Sequence, residues 1–127
     1  MNIIDHHHDG HGLNDEIEIE AGPIDPVNGG RHTYAIAVPR PGSSKILDQK
    51  GFLQFQHGPR HEDGSVHGVT DAAVLAVIVD RYEGFQEGPY ACSDNESVIA
   101  YLKLALSVMK QRADARAARG VLGKMKK

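Results

Sequence analysis

The hydrophobic pattern changes period once, near residue 70, and that change limits the fold more than any other feature. Before it, apolar residues alternate with polar ones. Glu16-Ile17-Glu18-Ile19-Glu20 and His32 to Val38 both read as half-buried strands with period 2. In the second run Tyr34, Ile36 and Val38 share a face, and Pro39-Arg40-Pro41-Gly42 stops it. Lys45-Ile46-Leu47-Asp48 predicts a short strand, Gln49-Lys50-Gly51 a turn, and Phe52 to Gln56 a last strand. Short neighbouring strands with turn residues between them predict an antiparallel meander.

After residue 70 the spacing is helical. Val74, Val77, Ile78, Tyr82 and Phe85 recur at three and four, behind Thr70 or Asp71 as a cap. Leu75 and Val79 widen this stripe, so the helix needs burial on two sides, by the sheet and a partner helix or by another subunit. Gly84 and Gly88-Pro89 break the pattern. Ser93 and Glu96 then have capping-box spacing, and the next helix runs to Arg119 and ends at Gly120. Ile99, Leu102, Leu106, Met109 and Ala113 form its seam. About 26 residues at 1.5 Å each make a rod of ~39 Å, longer than four short strands need. The fold class is therefore α+β: a small N-terminal antiparallel β-meander followed by a long C-terminal helical hairpin. The single domain divides into a β-core over 1–57, the hairpin over 68–120 and a flexible tail over 121–127. The polar, His-rich start is also expected to be disordered.

Charge and cysteine usage exclude several functions. The net charge is -3, yet residues 110–127 hold seven Lys and Arg against one acid, Asp114. A cationic end on an acidic body suits a small anionic ligand better than a long nucleic acid. No apolar run approaches a membrane span. The single cysteine, Cys92, excludes an internal disulfide and a four-cysteine zinc site, and fits a reducing, intracellular setting. His6, His7 and His8 are adjacent, and His57, His61 and His67 lie in one loop without the spacing of a helical zinc motif, so no metal is assigned. No nucleophile motif or Gly-rich phosphate loop is present, so no residue is assigned a catalytic role and no cofactor is expected.

Two clusters suit anions. Arg112, Arg116 and Arg119 project from one side of the second helix, where guanidinium groups grip phosphate bidentately or simply complement the helix dipole. Phe85 and Tyr90 flank the helix start near Asn95, where free N–H groups favour anions and an aromatic ring can stack on a base or close the hairpin core. Asn95 and Arg112 are about 26 Å apart along one helix, so the clusters make two sites unless a neighbouring subunit joins unlike ends.

The residues also carry a family resemblance. Phe55-Gln56-His57-Gly58-Pro59, His67-Gly68-Val69-Thr70 and Ala76 to Gln86 begin it. Gly88-Pro89-Tyr90-Ala91-Cys92, Asn95, Arg112, Arg116, Arg119-Gly120-Val121 and Gly123 complete it. Together they resemble the hairpin domain of phage anti-defence sponges of the Thoeris anti-defence protein 1 type, with an anti-CBASS sponge as a more distant relative. The resemblance implies a protein without catalytic activity that binds and sequesters the immune signal glycocyclic ADP-ribose (gcADPR) in the infected bacterial host cytoplasm. It implies cyclic di- or trinucleotides as a second ligand class, and homo-oligomers from dimer to hexamer. Phe85 and Asn95 match the gcADPR pocket, with Arg60 as a phosphate partner, and Arg112 and Arg116 match the cyclic-oligonucleotide site. His67 stands where many relatives carry Asn, and the Arg60-His61-Glu62-Asp63 loop departs from the commoner pattern. The competing readings are an enzyme that degrades the same signal and a phage nucleic-acid or assembly-associated protein.

Overall fold

Seven elements follow one another along the chain: β1 (Asn2–Ile4), α1 (Leu13–Glu16), β2 (Glu18–Ala21), β3 (Thr33–Pro39), β4 (Leu47–Gln54), α2 (Asp71–Gln86) and α3 (Ser93–Ala118). They are taken from a computed structural model that describes residues 2–43, 45–58 and 64–120. The strands come first and the long helices last, as the change of period requires, so the α+β expectation is borne out. Two units emerge, one of Met1–His57 with Val66–Gly68, the other of Gly58–Ser65 with Val69–Lys127.

The first unit is a four-stranded antiparallel meander in the order β1-β2-β3-β4. Ile19 of β2 pairs with Ile36 of β3, and Tyr34 with Leu53 of β4, which carries the alternating apolar face across the sheet. The Tyr34 and Phe55 rings meet edge to face at 5.9 Å. Two expectations are corrected here. Gln49-Lys50-Gly51 is not a turn, because β4 runs straight through it. Ile36 pairs with Gly51 while Ala37 pairs with Gln49, so Lys50 is the extra residue of a bulge that lets one long strand replace two short ones. Nor is the polar start disordered. Its backbone pairs with β2 from Asn2 to Ile4. Short polar side chains then close the loop. Asp15 Oδ1 accepts from the Asp9 and Gly10 N–H groups at 3.0 Å, and Asn14 donates to Asp9 at 2.8 Å. Asn14 is the main cause that holds the Asp9 carboxyl below its ordinary value.

After β4, His57 and Val66 exchange both backbone hydrogen bonds, at 2.9 and 2.8 Å. Gly68 returns directly over β4. A Cβ there would run into the Gln54 carbonyl, so only glycine permits the approach.

The second unit is the helical hairpin. Thr70 caps α2, its hydroxyl accepting from the Ala73 N–H at 3.1 Å. The start of α3 is built differently from the expected capping box. Ser93 is already helical, Cys92 is the cap, and the Glu96 N–H is taken by the Cys92 carbonyl. The Gln86 side chain supplies the clamp instead: its amide donates to the Cys92 carbonyl and accepts from the Cys92 N–H, both at 3.0 Å. Gln86 ends α2 and Cys92 precedes α3, so this pair of bonds fixes the reversal. At the other end α3 stops where expected, with Gly120 at φ 70°.

Packing within the hairpin selects a face rotated from the expected one. On α2, Val79 is buried and Leu75, Tyr82 and Gln86 are half-buried, while Val77 stays exposed. On α3, Ile99, Leu102, Leu106 and Ala113 are half-buried, and the same step continues to Arg116, which is buried. A second apolar stripe of α3 (Tyr101, Leu104 and Val108) faces outward, with Leu104 61% and Val108 56% exposed. Among the described residues no large side chain is fully buried.

Candidate functional site

The residues singled out in the sequence fall at opposite ends of the hairpin, and the closed end holds Phe85 and Asn95. Phe85 lies on the last turn of α2, half-buried, with the Tyr82 ring against it edge to face at 5.5 Å. The Arg81 guanidinium lies over its ring, 5.0 Å from the centroid. The i−4 spacing of Arg81 produces this contact on any regular helix, and the sequence reading passed over it. Asn95, in the first turn of α3, donates its amide to the Tyr90 carbonyl at 3.2 Å. That bond orients the amide and leaves its oxygen as the acceptor available to a ligand. Tyr90 is exposed. Arg60, the expected third partner, lies outside the described residues, as do His61, Glu62 and Asp63. His67 is described, and its carbonyl accepts from the Gln54 amide at 3.2 Å in the sheet unit.

The open end holds the arginines. A shallow cleft of about 260 Å³ is lined by Thr70, Asp71, Ala72, Met109, Arg112, Ala113 and Arg116. The antiparallel hairpin thus brings the first turn of α2 beside the last turns of α3. Arg112 is exposed at this cleft, whereas Arg116 is buried because it occupies the next seam position after Ala113. Arg112, Arg116 and the first turn of α2 therefore line one concave place. Asp71 at the rim opposes this charge. The sequence reading looked for helix N–H groups at the start of α3. It missed those of α2, because their proximity to Arg112 comes from antiparallel pairing and not from chain spacing. Arg119, the third member of the expected cluster, caps α3 with its backbone and is absent from the cleft lining.

No protein-family model matches the chain. A curated relative does. Thoeris anti-defense 1 of Bacillus phage SBSphiJ7 is 33% identical over 90 residues, which cover 66% of this chain and 63% of that protein. The chain is similar to Thoeris anti-defense 1. The resemblance read from the residues is thereby borne out. The chain spans less than two thirds of the length of the relative it matches.

Among the described residues no helix is long and apolar enough to cross a membrane. Cys92 is free and exposed.

Proposed function

We propose that this chain is a phage anti-defence sponge acting against Thoeris immunity in the infected bacterial host cytoplasm. It binds gcADPR-type cyclic nucleotide signals and withholds them without cleavage. Cyclic di- or trinucleotides are its second ligand class. The observation that supports this reading is the division of the hairpin into two chemically different ends. One end offers an aromatic ring backed by a guanidinium and an oriented amide, the groups that stack on a base and read its edge. The other offers two arginines beside a helix N-terminus, the groups that hold phosphate.

Competition at low signal levels requires nanomolar binding, about -12 kcal/mol. Base stacking of roughly 1–3 kcal/mol and charged hydrogen bonds of roughly 1.5–3 kcal/mol each reach that sum only when several converge. A second copy supplies the missing enclosure. Among the described residues the outward stripe of Tyr101, Leu104 and Val108 stays exposed, and homo-oligomerisation, from dimer to hexamer, would bury it.

The test is to incubate the purified protein with gcADPR and with a cyclic trinucleotide, remove unbound ligand, denature the protein by heat and analyse the supernatant. A sponge depletes the free signal and returns it intact. Recovery of a hydrolysed product assigns an enzyme instead, and no depletion of either ligand refutes the proposal.

A further inference from the structure

The sheet unit contains a cluster of donors of its own. Asp25 is the buried acid of that unit, with its side chain 6% exposed. Its Oδ1 is used locally, accepting from the Val27 N–H at 2.7 Å within a turn that also ties Asp25 N–H to the Gly30 carbonyl. Its Oδ2 is turned the other way and meets two imidazoles. His32 Nε2 lies 3.0 Å from Oδ2 and His57 Nε2 lies 2.9 Å from it. The two rings stack at 4.4 Å with 14° between their planes. All three donor atoms lie within 4.8 Å of one another.

Hydrogen bonding accounts for only part of this arrangement. His32 bonds to Oδ2, but His57 Nε2 makes no hydrogen bond although it is just as close, and that atom is buried. A buried ring nitrogen left without a hydrogen bond carries a desolvation cost that a native site normally offsets. The atom left unsatisfied is His57 Nε2 beside Oδ2, and a cation held between these three groups would satisfy it. Tetrahedral bonds of about 2.0–2.1 Å place neighbouring donor atoms roughly 3.3 Å apart. The two imidazole-to-carboxylate spacings, 3.0 and 2.9 Å, need open by only a few tenths of an ångström.

We propose that Asp25, His32 and His57 form a binding site for a divalent first-row transition metal of the zinc class, with water as a fourth ligand. Two imidazoles and one carboxylate are the donor set that such ions take, and calcium and magnesium prefer all-oxygen sites. The Val27 N–H bond to Oδ1 is the outer support that fixes the carboxylate's aim. The three ligands come from the turn before β3, the first residue ahead of β3 and the bridge after β4, so one ion would tie together three separate segments of the sheet unit. The ion's role here is to hold the fold of the sheet unit.

The test uses the full, untagged chain, stripped with a chelator and titrated with Zn2+. A His6→Ala/His8→Ala variant runs alongside to control for adventitious zinc on the exposed N-terminal histidines. The expected result is one Zn2+ per chain at micromolar affinity or better, with a rise in Tm. The tract variant retains it, and His57→Ala and His32→Ala weaken it at least ~100-fold. Unchanged zinc content in both cluster variants, or loss of stoichiometric zinc in the tract variant alone, overturns the site. Should the cluster variants lose their sheet signal, imidazole 15N spectra of the unaltered chain decide. Zinc-dependent shifts of His32 and His57 Nε2 support the site, and shifts confined to His6, His8 and His11 refute it.

Discussion

The sheet unit and the helical hairpin satisfy their chemistry in opposite ways. In the sheet unit the buried charge, Asp25, is enclosed by groups from its own unit. The His32 imidazole, followed by the Val27 N–H, holds its carboxyl below the usual carboxylate range against the opposing cost of burial. In the hairpin the buried charge, Arg116, borders an open cleft, and a whole apolar stripe faces outward. The first unit is held by local turns and cross-strand pairs. The second presents an exposed guanidinium, Arg112, and an exposed apolar stripe, Tyr101, Leu104 and Val108, on its surface.

The largest effect should come from the outward stripe. Leu104→Asp with Val108→Asp places two charges where a second copy would bury them, which is expected to weaken self-association more than ~100-fold. Light scattering at micromolar concentration should then give the mass of one chain, with helicity retained. An unchanged oligomeric mass removes this stripe from the interface and narrows the contrast between the units.

Next come the two ends of the hairpin. Phe85→Ala or Asn95→Ala is expected to weaken gcADPR about ten- to a hundredfold through lost stacking or amide bonds. Cyclic-trinucleotide binding should hold. Arg112→Ala, at the exposed side of the cleft, should do the reverse. Calorimetric titration of both variants with both ligands checks this. Loss of both ligands by each variant, in a folded oligomer, would mean one shared pocket.

A smaller effect concerns stability. Val79 is the buried apolar residue of the hairpin, and Val79→Ala should cost about 1.5–3 kcal/mol at most. Urea unfolding should show it in the helical signal at 222 nm. A change below ~0.5 kcal/mol would show that α2 and α3 gain their stability from another copy and not from each other.

The smallest expected effect lies in the sheet unit. Arg40 holds Asp48 through two hydrogen bonds, at 2.8 and 3.1 Å, and this pairing keeps the Asp48 carboxyl below its ordinary value. The folded state therefore binds fewer protons than the unfolded one. The stabilisation is present above the unfolded pKa of about 3.9 and is lost as pH falls through the lower folded value. Asp48→Asn should flatten the decline of Tm below about pH 4 and change little at neutral pH, where a partly exposed pair contributes little. An undiminished decline would assign the acid sensitivity to other carboxylates.

Much of this molecule follows from local pattern. Alternation over 16–20 and 32–38 gives β2 and β3 within two residues, because a half-buried strand allows no other spacing. Thr70 and Gly120 mark the ends of the hairpin, because free N–H groups need an acceptor and the left-handed turn needs glycine. The arginines and the aromatic-amide pair were also legible as chemistry, being unusual residues at regular helical spacing. What tertiary structure decided is which of these groups meet. Lys50 could be read as part of a turn until pairing with β3 made it a bulge. Arg116 belongs to the seam and Val77 does not, because packing of α2 on α3 chooses one stripe among several that the sequence permits. The start of α2 joins Arg112 only because the helices run antiparallel. His57 was grouped with its loop neighbours His61 and His67, but its actual partners, Asp25 and His32, are more than twenty residues away along the chain. Local spacing governs backbone hydrogen bonding within a few residues, whereas contacts between distant side chains depend on strand register and helix pairing, which no short window of sequence contains.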